Sequence, residues 1–134
     1  MDLTSIKSIL IVDDEQELST LYREYLLEMG FDAVSFTNPL MAFEHYRHCA
    51  DKYSLVITDL RMPGMDGIEL ANKIRELDYS VKIFWITAFD IADIEGQEFY
   101  KSAKIDATLQ KPTKLSLLRK IIGQHIEVTV NAKI

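Results

Sequence analysis

The sequence predicts an α/β fold: a doubly wound sheet of five parallel strands with five helices covering its two faces. Short apolar runs alternate along the chain with longer segments of helical period, and this alternation is typical of parallel sheets. The 134 residues suit a single domain, and their 48% hydrophobic and 27% charged content is that of an ordinary globular protein. The composition therefore excludes a chain that is disordered throughout.

The first part of the chain contains two predicted strands and two predicted helices in alternation. Residues 9–12 are apolar and rich in β-branched side chains, as in a strand that is covered on both faces. The apolar positions of the next segment recur at helical spacing; they are Leu18, Leu21, Tyr22, Tyr25, Leu26 and Met29. Gly30 stands where a left-handed C-terminal cap belongs. Residues 31–36 form the predicted second strand, and Asn38 is the predicted N-cap of a helix over 39–49.

The rest of the chain continues this alternation. It contains predicted strands over 55–58, 81–87 and 107–110 and predicted helices over 68–77, within 92–102 and over 115–123. The apolar stripe of the helix over 68–77 consists of Ile68, Ala71, Ile74 and Leu77. Because crossovers between parallel strands are right-handed, the leading topology is a flavodoxin-like sheet with strand order 2-1-3-4-5. We assign residues 6–124 to this domain and 125–134 to a C-terminal tail.

Charge and hydropathy exclude several classes of partner. Fifteen Lys and Arg against 21 Asp and Glu give a formal net charge of −6. We expect no direct contact with nucleic acid, because phosphate contacts need clustered basic residues. The apolar runs over 9–12 and 83–86 are too short to span a bilayer, and residues 1–7 lack the features of a signal peptide, so no membrane contact is expected. The single cysteine, Cys49, fits a reducing cytoplasm.

Polar side chains follow four of the five predicted strands. Asp13 and Asp14 come directly after the first strand and are followed by a further acid, Asp59 ends the third, Thr87 the fourth, and Lys111 follows the fifth. Each of these residues alone would be ordinary, as a helix cap, a strand residue or a solvated charge. Ligands bind beyond the carboxyl ends of the strands in an open parallel sheet. The joint placement at one edge therefore predicts a functional site.

The residue types at this edge indicate a metal ion and phosphoryl chemistry. Closely packed carboxylates repel one another unless a cation lies between them, and Mg²⁺ prefers oxygen ligands of this kind. The turn-forming segment 61–67 follows Asp59 and would present its carboxylate to solvent. A carboxylate can attack phosphorus to give an aspartyl phosphate. That transfer needs mainly charge neutralisation and positioning, which Mg²⁺ and Lys111 would supply, with a hydrogen bond from Thr87.

These residues make the chain resemble the receiver domains of two-component response regulators. The matching stretches are Ile9-Leu10-Ile11-Val12-Asp13-Asp14-Glu15, Asp59-Leu60-Arg61-Met62-Pro63-Gly64-Met65-Asp66-Gly67, Ile86-Thr87-Ala88 and Lys111-Pro112. The resemblance implies Mg²⁺-dependent transfer of phosphate to Asp59, with Mn²⁺ as a substitute ion. It implies that Asp14 and Asp59 contact the metal, that Asp13 supports it largely through water, and that the Arg61 carbonyl completes the site. It also implies that Thr87 and Lys111 bind the phosphoryl group and that Pro63 and Gly67 shape the loop.

The resemblance also implies the partners and the class of activity. A sensor histidine kinase or a phosphotransfer protein would supply the phosphate. A downstream protein would bind the face made by the fourth helix, the fifth strand and the fifth helix. The chain would then be a signalling domain rather than an enzyme, catalysing its own phosphorylation and a slow autodephosphorylation. The chain is either a stand-alone regulator or an excised part of a longer one, and the tail after the last helix, without an obvious linker, favours the first. We expect a monomer or a weak homodimer.

Alternatives to a phosphorylated switch remain open at this point. The first is a pseudo-receiver, a protein-interaction module that does not depend on phosphorylation. A phosphohydrolase would need a general acid two residues after Asp59, where Arg61 cannot serve. A flavin-binding protein would need a phosphate-binding loop after the first strand, where the acidic residues would repel phosphate.

Two further positions bear on how a signal would leave the site. Thr108 occupies the position three residues before the lysine, where the family usually has Tyr or Phe. We therefore predict an output relay without an aromatic flip, using Phe89 or Tyr100. Trp85, two residues before Thr87, is predicted to be a core residue on the same face of the sheet.

Overall fold

The structure is a computed structural model that describes residues 8–88, 90, 92, 98 and 102–126. The strands are β1 (Ser8–Val12), β2 (Asp32–Phe36), β3 (Tyr53–Asp59), β4 (Lys82–Thr87) and β5 (Ala107–Gln110). The helices of the described residues are α1 (Gln16–Glu28), α2 (Pro39–Cys49), α3 (Gly67–Leu77) and α4 (Leu115–His125), with a 3-10 turn at Ala50–Lys52.

The five strands form one sheet in the order β2-β1-β3-β4-β5, and every neighbouring pair is parallel. The predicted fold class and strand order are thereby confirmed. The predicted helix within 92–102 lies outside the described residues except at Ala92, Glu98 and Ser102, whose backbone is helical. Phe89 and Tyr100, the predicted relay residues, and positions 127–134 of the predicted tail also lie outside them. His125 is the last residue of α4.

The predicted helix signals at two turns have the expected geometry. The Asn38 side-chain oxygen accepts hydrogen bonds from the backbone N–H of Leu40 at 2.9 Å and of Met41 at 3.3 Å, and Pro39 opens α2. Gly30 follows α1 with a φ of +98°, in the left-handed region that favours glycine. Both turns were therefore correctly predicted from the sequence.

The sheet has an apolar layer on each face, because successive strand residues point to opposite sides. One layer packs α2 and α3 against the sheet and includes Tyr46, Val56, Leu70, Ile74, Ile83 and Trp85. The other packs α1 and α4 and includes Tyr22, Leu26, Ile57, Phe84, Leu118 and Ile122. Trp85 is fully buried, so its predicted core role is confirmed. No helix among the described residues is long and apolar enough to cross a membrane.

The buried stripe of α3 differs from the predicted one at its C-terminal end. Leu77 is 48% exposed, whereas Arg75 is buried. The guanidinium of Arg75 is satisfied inside the protein because it donates hydrogen bonds to the backbone carbonyls of Asp78, Tyr79, Val81, Ala103 and Lys104. It also lies 3.3 Å from a carboxylate oxygen of Asp106, which accepts the Ile83 N–H at 2.9 Å. Apolar periodicity alone does not reveal a buried cation of this kind.

Candidate functional site

The register of the sheet brings the predicted site residues to one edge. Asp59 lies opposite Ile86, and Thr87 lies opposite Gln110 in the neighbouring strand. Asp13 directly follows β1, and its backbone N–H donates to the carbonyl of Phe36 at the end of β2 at 3.1 Å. The carboxyl ends of these strands are thus aligned along one edge of the sheet to within one or two residues.

Three carboxylates form a cluster at this edge. Asp13, Asp14 and Asp59 each offer one oxygen, and these oxygens lie within 4.8 Å of one another. Asp13 and Asp59 are buried, whereas Asp14 is exposed. A set of hard anionic oxygens that is partly open to solvent suits Mg²⁺, which takes one or two carboxylates and keeps several waters. The residues present therefore fit the metal that the resemblance implies.

The Lys111 ammonium lies beside the cluster. Its Nζ is 3.1 Å from Asp59 Oδ2, 3.2 Å from Asp13 Oδ2 and 3.2 Å from Glu15 Oε2. The backbone N–H of Lys111 donates to the Thr87 carbonyl at 2.7 Å, which holds the end of β5 against the end of β4. Both the backbone and the ammonium group of Lys111 are thereby held in place.

Burial and charge shift the acid–base properties of these groups. Burial raises the pKa of both Asp13 and Asp59 above the ordinary value, and the nearby Lys111 ammonium only partly offsets this rise. Burial also lowers the pKa of Lys111, but the Asp13 and Asp59 carboxylates outweigh it, so that the net pKa is higher than usual. Lys111 therefore stays protonated. A further cation would stabilise the charged form of the two buried carboxylates.

The loop after Asp59 is anchored at Gly67. The Gly67 N–H donates to the Leu60 carbonyl at 2.7 Å, and the Trp85 indole N–H donates to the Gly67 carbonyl at 3.2 Å. A Cβ at this position would overlap the Asp59 carbonyl oxygen and come within 2.9 Å of Leu60 Cα. Within the same loop, Gly64 has a φ of +88°. Only glycine at position 67 allows α3 to begin this close to Asp59.

An open pocket of about 290 Å³ lies above the cluster, and its walls are Asp14, Glu15, Asp59, Arg61, Thr87, Ala88 and Lys111. Five of the predicted site residues share it; the sixth, Asp13, is buried and pairs with Lys111. The sequence did not predict that the Glu15 side chain contacts Lys111. The sequence shows that Glu15 follows Asp13 and Asp14, but it does not show in which direction a side chain at the start of a helix points.

Thr108 has a buried hydroxyl on the strand next to the site. It lies opposite Trp85 in β5, and its Oγ1 has no hydrogen-bond partner in the part of the chain that the structure describes. The relay through Phe89 or Tyr100 stays a prediction, since both residues lie outside that part.

Comparison with known proteins gives matches along most of the chain. The family model of the response regulator receiver domain matches residues 9–123. The response regulator receiver protein CpdR of Brucella abortus (strain 2308) is 36% identical over 84 residues, which are 63% of this chain and 68% of that protein. Sporulation initiation phosphotransferase F of Bacillus subtilis (strain 168) is 25% identical over 127 residues, covering 93% of this chain and 98% of that protein. The match to the sensor protein EvgS of Escherichia coli (strain K12) is 34% identical over 121 residues, 90% of this chain, but spans 10% of that protein.

Solved structures have the same architecture. The response regulator TrrA of Thermotoga maritima, in complex with Mg²⁺-BeF, has a TM-score of 0.77 and 28% identity, covering 90% of this chain and 99% of that one. The chemotaxis protein CheY4 of Vibrio cholerae has a TM-score of 0.83 at 18% identity, covering 91% of this chain and 100% of that one. At the latter identity the likeness concerns the fold alone.

Proposed function

This chain belongs to the response regulator receiver domain family of two-component signalling, and from that membership we propose that it is a phosphoacceptor switch. Asp59 would be the acceptor. The observation that carries the proposal is the environment of Asp59, a buried carboxylate at the end of β3 that lies 3.1 Å from the Lys111 ammonium and beside two further carboxylates. Phosphorylation would change the affinity of the chain for a protein partner.

In the proposed reaction, a carboxylate oxygen of Asp59 attacks the phosphorus of a phospho-histidine on a partner protein. The P–N bond breaks with its electron pair left on the imidazole, and a new P–O bond completes the aspartyl phosphate. The Lys111 ammonium would stabilise negative charge on the phosphoryl oxygens, and the Thr87 hydroxyl would donate a hydrogen bond to one of them. Slow attack by water on the phosphorus would later release inorganic phosphate and restore Asp59.

We propose that Mg²⁺ is the resident ion and that Mn²⁺ substitutes for it, since both take oxygen ligands. Asp14 and Asp59 would contact it together with the backbone carbonyl of Arg61, a residue that lines the same pocket, and Asp13 would support it largely through water. When bound, the ion would neutralise charge on the transferring phosphoryl group. The Mg²⁺-BeF complex of TrrA, a protein 28% identical to this chain, supports this assignment.

The proposed phosphate donor is a sensor histidine kinase or a phosphotransfer protein. The proposed output partner is a protein that binds the face formed by β5, α4 and the predicted helix within 92–102. We further propose that the chain acts as a monomer or weak homodimer in the cytoplasm, without direct contact with nucleic acid or membrane. The net charge of −6 supports a protein partner over a nucleic acid.

Intact-mass measurement tests the function directly. Incubation with phosphoramidate and Mg²⁺ should add one phosphate to the wild-type chain, and Asp59→Asn should abolish the addition because an amide cannot act as the nucleophile. Asp51→Asn, the same change at an exposed aspartate outside the pocket, should leave it intact. Absence of phosphate on a folded wild-type chain would instead favour the pseudo-receiver alternative.

A further inference from the structure

A carboxylate outside the predicted metal and phosphoryl residues contacts the phosphoryl-binding lysine. Glu15 Oε2 lies 3.2 Å from Lys111 Nζ, a distance equal to that of Asp13. The side chain of Glu15 is 60% exposed, whereas those of Asp13 and Asp59 are 3% and 8% exposed. Glu15 is therefore the one partner of Lys111 among these three that is free to move into solvent.

The Glu15 side chain lines the pocket rather than capping α1. Glu15 is the N-cap residue of α1, but its side chain makes no capping hydrogen bond. Its backbone is held at both ends, because its N–H donates to Asp13 Oδ1 at 2.9 Å and its carbonyl accepts from Ser19 N at 2.9 Å. The carboxylate instead contacts a lysine 96 positions away in the sequence.

The three carboxylates match the full donor capacity of the lysine. An ammonium group has three N–H donors and no acceptor. Asp13, Glu15 and Asp59 each place one oxygen within 3.2 Å of Nζ. Phosphorylation converts the Asp59 carboxylate into an acyl phosphate, so one phosphoryl oxygen can take the place of Asp59 on Nζ. Any further phosphoryl contact with Nζ must displace Asp13 or Glu15. Asp13 is buried and its Oδ1 accepts the Glu15 N–H, so this second exchange falls to the exposed Glu15.

We propose that Glu15 is a positioning residue that holds Lys111 in the unphosphorylated chain and competes with the phosphoryl group for it. The inference rests on the proposed function and adds to it a residue that sets the affinity for the phosphoryl group. Glu15 lines the same pocket as Asp59, so its charge also repels a phosphoryl anion there. Both effects act in one direction: Glu15 weakens phosphoryl binding.

The expected size of the effect follows from the exposure of the pair. An exposed ion pair contributes up to about 1 kcal/mol, which corresponds to a change of about two- to fivefold in an equilibrium constant. Salt screens exposed charges over a Debye length of about 10 Å at 0.1 M ionic strength. The effect of Glu15 should therefore shrink as the ionic strength rises.

The test compares Glu15→Gln with Glu17→Gln. Both substitutions remove one negative charge from the start of α1, but Glu17 is exposed and is not among the carboxylates that bind Lys111. Fluorine NMR of beryllofluoride binding in the presence of Mg²⁺ gives the half-saturating concentration for each chain. Glu15→Gln should lower it by about two- to fivefold at low ionic strength and less at 0.5 M NaCl, with Glu17→Gln close to the wild type.

The outcomes separate this inference from the proposed function. Equal half-saturating concentrations for the two variants, or tighter binding by the wild type than by Glu15→Gln, would overturn the competition by Glu15 while leaving Asp59 as the acceptor. Failure of the wild type both to bind beryllofluoride and to gain phosphate by mass would overturn the proposed function and this inference with it. A faster mass gain from phosphoramidate in Glu15→Gln alone would support the competition independently.

Discussion

At the scale of single residues, Gly67 links Asp59, the proposed phosphoacceptor, to the start of α3. Its hydrogen bonds to Leu60 and from Trp85 hold the loop against the ends of β3 and β4. The sequence placed Gly67 in the turn-forming segment 61–67, and the family resemblance implied that it shapes the loop. The physical reason, the lack of room between position 67 and the Asp59 carbonyl, requires coordinates.

We predict that Gly67→Ala destabilises the protein by about 1–3 kcal/mol, because the new methyl group must push backbone rather than a flexible side chain. Gly123→Ala is the matched control. Nothing lies within 4 Å of a Cβ at position 123 in α4, and alanine favours a helix over glycine by about 0.5–1 kcal/mol. Urea unfolding should thus show opposite signs for the two substitutions, and a destabilisation of equal size in both would contradict the steric account.

At the scale of secondary structure, local signals predicted the elements well where chemistry and periodicity agreed. The Asn38-Pro39 pair fixed the start of α2, and Gly30 the end of α1, because each satisfies a backbone requirement that few other residues meet. β3 runs from Tyr53 to Asp59, longer than the predicted 55–58, because its neighbours β1 and β4 extend the pairing beyond the apolar run. The ends of such a strand depend on the neighbouring strands, which the sequence of the strand alone does not reveal.

Arg75 represents the opposite case, in which a charge occupies a buried position. It joins the C-terminal end of α3 to the segment before β5 through the carbonyls of Ala103 and Lys104 and the Asp106 carboxylate. Burial lowers the pKa of Arg75, but the side chain keeps its charge at any ordinary pH. The contact partners lie 28 to 31 positions away in the sequence, so helical periodicity could not identify them.

We predict that Arg75→Met lowers the free energy of unfolding by about 3–5 kcal/mol, because it removes the ion-pair partner of Asp106 and leaves several buried carbonyls without their donor. The control is Arg47→Met, which breaks the Arg47–Glu44 pair on the exposed face of α2 and should have a much smaller effect. Chemical denaturation of both variants measures the difference. Comparable losses would show that Arg75 contributes no more than a surface ion pair.

At the scale of the whole molecule, the site could be predicted because a parallel sheet gathers sequence-distant residues at one edge. Asp13, Asp59, Thr87 and Lys111 come from four strands, and the register aligns their ends to within one or two residues. The topology of the sheet was therefore enough to predict which of these residues lie close together. It was not enough to predict the pairing of Glu15 with Lys111, because the rotamer of a long exposed side chain depends on the charged groups around it.

A metal bound at the site would couple it to the stability of the whole fold. Asp13, Asp14 and Asp59 bring three carboxylates together in a chain that already carries a net charge of −6. An ion that binds only the folded state stabilises it by an amount that grows with concentration, about 2.7 kcal/mol at one hundred times the dissociation constant. We therefore predict that Mg²⁺ raises the melting temperature by several degrees and that EDTA reverses the rise.

Asp14→Asn separates this specific effect from general screening, because Asp14 is exposed and its loss removes a proposed ligand without opening the core. Calorimetry at fixed ionic strength should show a smaller Mg²⁺-dependent rise in this variant, while Glu17→Gln, with the same change in net charge, should keep the full rise. The metal-free melting temperature of Asp14→Asn should be equal to or higher than that of the wild type, since one repulsive charge is gone. A rise produced equally by NaCl at matched ionic strength would mean that the three carboxylates respond to screening and hold no specific ion.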